Sequence, residues 1–328
     1  MPRLLRLVDN YSLALLATVA LGSLLPCQGV VGEVFDVLTT VAIALLFFLH
    51  GAKLSREAVI AGATHWRLHL LVFASTFVLF PLLGWLGKPL GSSLVTPELY
   101  LGVLFLCTLP STVQSSIAFT SIAGGNVSAA ICSASASNLF GVFLTPLLVG
   151  LIVVTGSGEV SLLDSVGGIV TQILLPFIAG QIARRWIGGW VERSKKLVRF
   201  VDQGSILLVV YAAFSEAVID GLWKQIPLSA LGWLLVIDCV LLAIVLGVLW
   251  FVSGALGFSR ADRITITFCG SKKSLASGVP IAKVLFAGSL VGPMVVPLML
   301  FHQIQLMVCA ALAQRWGRWS RAESELPS

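Results

Sequence analysis

The sequence predicts an all-α membrane protein: about ten transmembrane helices in two inverted five-helix repeats, with broken fourth and ninth helices crossing in a core domain. Three observations predict it. The 328-residue chain is 57% hydrophobic and only 11% charged, against about a quarter charged in an ordinary soluble domain. Apolar runs near the roughly 20-residue spanning length follow one another from Ser12 to the C-terminal region. Nearly all Lys and Arg residues fall in alternate loops between those runs.

A chain with so few charges cannot clothe a water-facing globule, so lipid is the expected solvent for most side chains. The opening MPRLLRLVDN and its apolar continuation lack a small-x-small cleavage site, and many more spans follow, so the segment is read as a retained first helix. Cysteines 27, 107, 132, 239, 269 and 309 lie in or beside apolar segments without metal or redox spacing. They read as small membrane-core residues. The net charge of +6 sits between spans rather than on one face, so it reports orientation and not a nucleic-acid partner. The expected surroundings are membrane lipid.

Apolar runs between punctuation place five spans at Ser12 to Pro26, Val34 to His50, Leu68 to Leu86, Leu99 to Ala123 with a break, and Val127 to Val154. Five more run from Val166 to Trp186, Phe200 to Ile219, Leu228 to Leu256, Ile264 to Phe286 with a break, and Leu290 to Trp316. Sixteen basic residues then share one side: Arg3, Arg6, Lys53, Arg56, Arg67, Arg184, Arg185, Arg193, Lys195, Lys196, Arg199, Arg260, Arg263, Arg315, Arg318 and Arg321. Only Lys88 and Lys224 fall opposite. By the positive-inside rule both termini are expected in the cytoplasm of a cell with this protein in its inner membrane.

The longest cytoplasmic loop is expected at RRWIGGWVERSKKLVRF, after the sixth span. The repeat is expected to divide elsewhere, at 1–155 and 156–328. In each part, simple helices precede a polar-interrupted segment, LGVLFLCTLPSTVQSSIAFTSIAGGN in the first and ITITFCGSKKSLASGVPIAKVLFAGS in the second. Five spans is an odd number, so the second part enters the membrane in the opposite sense. Irregular backbone at membrane depth is tolerated only inside protein or facing water, so the paired interruptions point to a transporter site near the midplane.

At the first interruption Pro110 removes a backbone donor, and Ser111, Thr112, Gln114, Ser115 and Ser116 follow. Either these hydroxyls and the amide satisfy a proline kink, or they bind a solute. At the second, Gly270, Ser271, Lys272, Lys273 and Ser274 put two ammonium groups near the middle of a span. A charge at the bilayer centre costs about 2.5 to 3.5 kcal/mol even on insertion scales, so both should face a cavity or a partner. Such a lysine can bind an anionic substrate, stand where a cation would stand, or titrate. Lys283, nearer the helix end, is expected to snorkel.

Asp238, alone in WLLVIDCVLLAIVL, is the expected intramembrane partner of Lys273 or Lys272, as a structural pair or as part of the site. Asn138 in the fifth span and His302 in the tenth complete the candidate set, although helix-to-helix contacts explain such residues equally. There is no GxGxxG, Walker P-loop, HExxH or nucleophile elbow. No enzyme activity is expected.

Through PSTVQSSIAFTSIAGGNVSAA and FCGSKKSLASGVPIAK the sequence resembles the bile acid:sodium symporter family, in its divergent, SBF-like, YfeH-like bacterial branch. The similarity looks full-length. The resemblance implies a core domain of spans three to five and eight to ten, a panel domain of spans one, two, six and seven, and a substrate between them. It implies a sodium ion near Ser115, Ser116 and Thr76. The chain departs from the bile-acid carriers at their sodium ligands: Ala130 and Ala134 replace hydroxyl residues, Phe268 falls where they carry glutamate, and Thr76 where they carry glutamine. Lys272 and Lys273 stand in place of glutamine and asparagine, and a fixed ammonium repels sodium.

Three functions follow as alternatives. The first is a secondary active carrier of an organic anion, coupled to sodium or protons and working by alternating access. The second is a regulatory or scaffold membrane protein with a carrier fold. The third is metalloid or cation efflux, suggested by Cys107, Cys132 and Cys269.

Overall fold

The computed structural model describes residues 10–53, 65–154, 170–286 and 290–324, and among them every regular element is helical. The expected start of the sixth span at Val166 and the charges Arg3, Arg6 and Arg56 lie outside the described residues. The helices are α1 (Asn10–Leu24), α2 (Val30–Lys53), α3 (Trp66–Leu94), α4 (Pro97–Thr108), α5 (Gln114–Ile122) and α6 (Val127–Val149). They continue as α7 (Leu175–Arg193), α8 (Lys195–Ile219), α9 (Leu228–Ala255), α10 (Arg260–Gly270), α11 (Leu275–Leu285) and α12 (Val291–Ser324).

Six of these helices are long and apolar enough to cross a membrane, namely α2, α3, α6, α8, α9 and α12. Their outer faces leave Leu228 86%, Phe251 76% and Leu147 69% exposed, a surface that only lipid covers without penalty. The protein is a multi-pass membrane protein. Of the other helices, α7 continues the π turn Val170–Leu174 and carries Arg184, Arg185, Glu192 and Arg193. Interruptions split two of the expected spans into α4 with α5 and α10 with α11, and among the described residues α1 covers Asn10–Leu24.

Each interruption is written in the nearby sequence. Pro110 cannot donate to the helix, and the residue before a proline is driven out of the α region. Accordingly Leu109 is extended, at φ −74° and ψ 153°. At the second interruption Ser274 is extended, and its hydroxyl caps α11 by accepting from the Ser277 N–H at 3.2 Å. Gly270 is the last residue of α10, and the packing there favours glycine, since a Cβ would lie 2.8 Å from Leu249 and 3.3 Å from the Ser75 side chain. The chain start of α6 is capped by the Asn126 side chain, which accepts from Ala129 N–H at 3.1 Å.

The segment expected as the longest cytoplasmic loop is instead helical. α7 runs to Arg193, Ser194 alone separates it from α8, and that helix begins at Lys195. The charged residues find partners along the helix and on α2: Arg184 donates to the Ala52 carbonyl of α2 at 2.8 Å and pairs with Glu192 at 3.2 Å, and Arg193 donates to Gly189 O at 2.9 Å.

α1 and α2 pack on α8, and α2 lies along α7. Gly51 and Gly180 set that last contact, since a Cβ on either would collide with the backbone carbonyl of Phe177 or Phe48 respectively. α4 packs on α12 and α3, and α9 on α10, α12 and α3. α11 and α12 connect these helices to α8. The core is filled by aromatic edges, with Phe80 against Phe301 at 6.0 Å and Phe105 against Phe286 at 5.4 Å.

Candidate functional site at the paired helix breaks

The two interruptions meet. Pro110 O accepts from the Ser274 N–H at 2.8 Å. Ser111 Oγ donates to Cys269 O at 2.6 Å, and Ser116 Oγ to Phe268 O at 3.4 Å. Helix ends leave unpaired donors and acceptors, and here each broken end satisfies the other. Asn138 on α6 ties the junction further, donating to Ser111 O at 2.7 Å and accepting from Ser277 Oγ at 3.0 Å. Ser137 Oγ accepts from Ser111 N–H at 3.0 Å.

Lys273 is fully buried. Its Nζ donates to Thr76 O and Cys107 O at 2.8 Å and to Leu109 O at 2.7 Å. Two of those carbonyls end α4, where the helix dipole favours a cation. The third lies in a π turn of α3, Ser75–Leu79. The Phe80 ring lies 4.2 Å beneath the ammonium. The backbone of Lys273 is held as firmly: Gln305 accepts from its N–H and donates to its carbonyl, both at 2.9 Å. His302 touches this arrangement through Gln305, at 3.0 Å.

Lys272, also fully buried, takes a different path. Its Nζ sits 4.0 Å over the Phe119 ring and 5.7 Å over Phe268, with no hydrogen-bond partner among oxygen and nitrogen atoms and the Cys309 thiol alongside. Asp238 joins neither lysine. Both its oxygens are buried without a hydrogen-bond partner among the described residues, so the expected Lys–Asp pair does not form. The carbonyls of α3 and α4 stand nearer in the packing and supply what Asp238 was expected to supply. Lys283 finds carboxylate partners near the end of its helix. It pairs with Glu216 at 2.6 Å and Asp36 at 3.3 Å, because α11 lies against α8 and within reach of α2.

The other candidates divide. Thr112 bonds Ser115 at 2.6 Å and Ser116 at 3.4 Å. Gly270 O accepts from Ser75 at 2.9 Å. The Ser271 hydroxyl is buried with no partner among the described residues. Thr76 Oγ1 turns back to Val72 O at 2.9 Å. Among the described residues no group of three His, Cys, Asp or Glu gathers that could hold a metal ion.

Beside the junction lies a cavity of about 220 Å³. Gln114, Asn138, Ser135, Ser277 and Pro110 line one side. Phe47, His50 and Lys53 of α2, Phe177 of α7 and Asp202 of α8 line the other. Lys53 and Asp202 form an ion pair across the α2–α8 contact. This pair is not legible in the sequence, because the two residues are 149 positions apart and each sits near a polar helix end.

The model of the SBF-like CPA transporter family matches residues 9–318. The chain is 66% identical to an uncharacterized protein of Pseudomonas aeruginosa over 95% of this chain and 94% of that one. It is 58% identical to "Putative symporter YfeH" of Escherichia coli K12, over 96% and 95%. It is 30% identical to sodium/bile acid cotransporter 7 of Mus musculus, over 85% and 83%. From residue 9 to residue 318 this multi-pass membrane protein belongs to the SBF-like CPA transporter family, and it is a transporter rather than an enzyme.

Proposed function

We propose that the protein is a secondary active transporter of an organic anion that works by alternating access at the junction of its broken helices. The observation that carries this reading is the junction itself: two interrupted helices are joined by the Ser274 N–H donating to Pro110 O and by the Ser111 hydroxyl donating to Cys269 O, beside a cavity lined by amide, hydroxyl and charged groups. Discontinuous helices that meet in this way are a recurring design for solute sites in carriers. The reading includes ten spans in two inverted repeats, 1–155 and 156–328, with α1, α2, α7 and α8 as one body and the rest as the other. It includes the inner membrane, with both termini cytoplasmic.

The coupling ion in this reading is sodium or a proton. Sodium stands in the names of the eukaryotic relatives. Against it stands Lys273, whose ammonium already occupies three carbonyl oxygens of the junction, so proton coupling is the first expectation. Proteoliposomes with sodium and pH gradients imposed separately test both parts. Anion uptake driven by the pH gradient and indifferent to sodium is expected. Uptake driven by sodium alone would refute the proton assignment, and no gradient-driven anion flux at all would refute the carrier.

A further inference from the structure

We propose that Lys53 is the anion-docking residue of the cavity, and that Asp202 is an internal counterion which a substrate carboxylate displaces. The proposal rests on the organic-anion reading above and assigns that substrate its charged contact. It starts from how incompletely the pair is used. Asp202 bonds Lys53 through Oδ2, while its buried Oδ1 has no partner among the described residues. The Lys53 ammonium carries three donors, and Asp202 is its one ion-pair partner among the described residues. Its side chain keeps 34% of its surface exposed against 13% for Asp202. Among the described residues the ammonium makes no other hydrogen bond.

A pair whose purpose is to join α2 to α8 has no need of a cavity. This one lines the same chamber as Gln114, Asn138 and Ser277 of the helix junction. Other charges nearby are spent elsewhere. Arg184 binds Ala52 O and Glu192, and Lys283 with Asp36 and Glu216 occupies the opposite ends of α2 and α8. His50, one turn before Lys53, also lines the chamber. The walls between are apolar, through Phe47, Phe177 and Ile281. The fitting ligand is a small organic carboxylate with an apolar body and a polar group that reaches the amides.

The exchange is one of partners and makes no covalent bond: the ligand carboxylate takes the ammonium, and Asp202 gives it up. This predicts opposite effects for the two members of one ion pair. Binding to the purified full chain in detergent would be measured by calorimetry at fixed ionic strength with acetate, benzoate, succinate and citrate, and with benzamide as the uncharged analogue of benzoate. At least one carboxylate should bind, and more tightly than benzamide where the two are matched. Lys53→Met should weaken it tenfold or more, Lys53→Arg should keep it within a few-fold, and Asp202→Asn should tighten it about tenfold by removing the internal competitor. Equal weakening by Lys53→Met and Asp202→Asn, unchanged binding in Lys53→Met, or no binding by any of the four carboxylates overturns the proposal. Counterflow in proteoliposomes separates it from the carrier reading. Lys53-dependent binding without flux keeps the site and removes the carrier, whereas flux untouched by Lys53→Met keeps the carrier and removes the site.

Discussion

Lys272 and Lys273 are neighbours in sequence, equally buried, and held in opposite ways. Lys273 spends its three donors on three carbonyls at 2.7 to 2.8 Å. Lys272 has aromatic faces and a thiol but no hydrogen-bonding oxygen or nitrogen. A buried ammonium needs hydrogen bonds to repay its desolvation, and cation–π contact returns about 2 kcal/mol when desolvated. One lysine is therefore part of how the fold closes, and the other is carried by it at a cost. Their difference comes from direction: Lys273 points at the end of α4, where carbonyls are unpaired, and Lys272 points at Phe119 of α5.

The largest expected effect breaks the comparison on the Lys273 side. Lys273→Met removes one cation and leaves three buried carbonyls without it, and each such loss costs about 1 to 3 kcal/mol. Thermal unfolding in detergent should show a loss of about 3 kcal/mol or more. A variant as stable as the parent would mean that these carbonyls find other donors and that the ammonium does not hold the junction.

Gln305→Ala probes the same lysine through its backbone. It strips one acceptor and one donor from Lys273, for an expected loss of about 1 to 2 kcal/mol. If Gln305→Glu, which keeps the acceptor, is as damaging as Gln305→Ala, the bond to the Lys273 N–H contributes little.

For Lys272 the expected sign reverses. Methionine fills the same space, makes favourable sulfur–aromatic contacts with Phe119 and Phe268 and needs no counter-charge. Lys272→Met should leave stability within about 1 kcal/mol of the parent or raise it. A fall as deep as that of Lys273→Met would erase the distinction between the two lysines.

The smallest effect concerns Asp238. Because it pairs with neither lysine, Asp238→Leu and Lys273→Met should act independently, with the double variant additive to within about 0.5 kcal/mol. Recovery of stability in the double variant would show that the charges do feel each other, as the sequence alone suggests.

What could be read beforehand was local or compositional. The helical membrane class follows from an apolar fraction that no soluble surface permits. The interruptions follow from Pro110 and from Gly270 with its serines, residues that act on their own backbone. The polar cluster from Ser111 to Ser116 is equally legible, because hydroxyls crowded into an apolar run announce themselves. Partnership was not legible. Asp238 looked like the counter-charge for Lys273 because both are rare in such surroundings, yet backbone carbonyls, which no sequence displays, take that place. Lys53 and Asp202 hid for the opposite reason: near helix ends charged residues are ordinary, and only packing of α2 on α8 makes them a pair. The helical run of α7 to Arg193 was missed because its charges resemble a loop until they are seen bonding along one helix and to Ala52.

The backbone contact between α2 and α7 has a mechanical consequence. Where Gly51 meets Phe177 and Gly180 meets Phe48, main chain touches main chain with no side chain between. Two such contacts fix register as dowels fix two planks: the helices can neither slide nor roll without collision. Phe47, His50, Lys53 and Phe177 all hang from this joined pair. That wall of the chamber therefore behaves as a plate, and a change in the chamber's width has to come from tilting the plate as a unit or moving the wall that faces it.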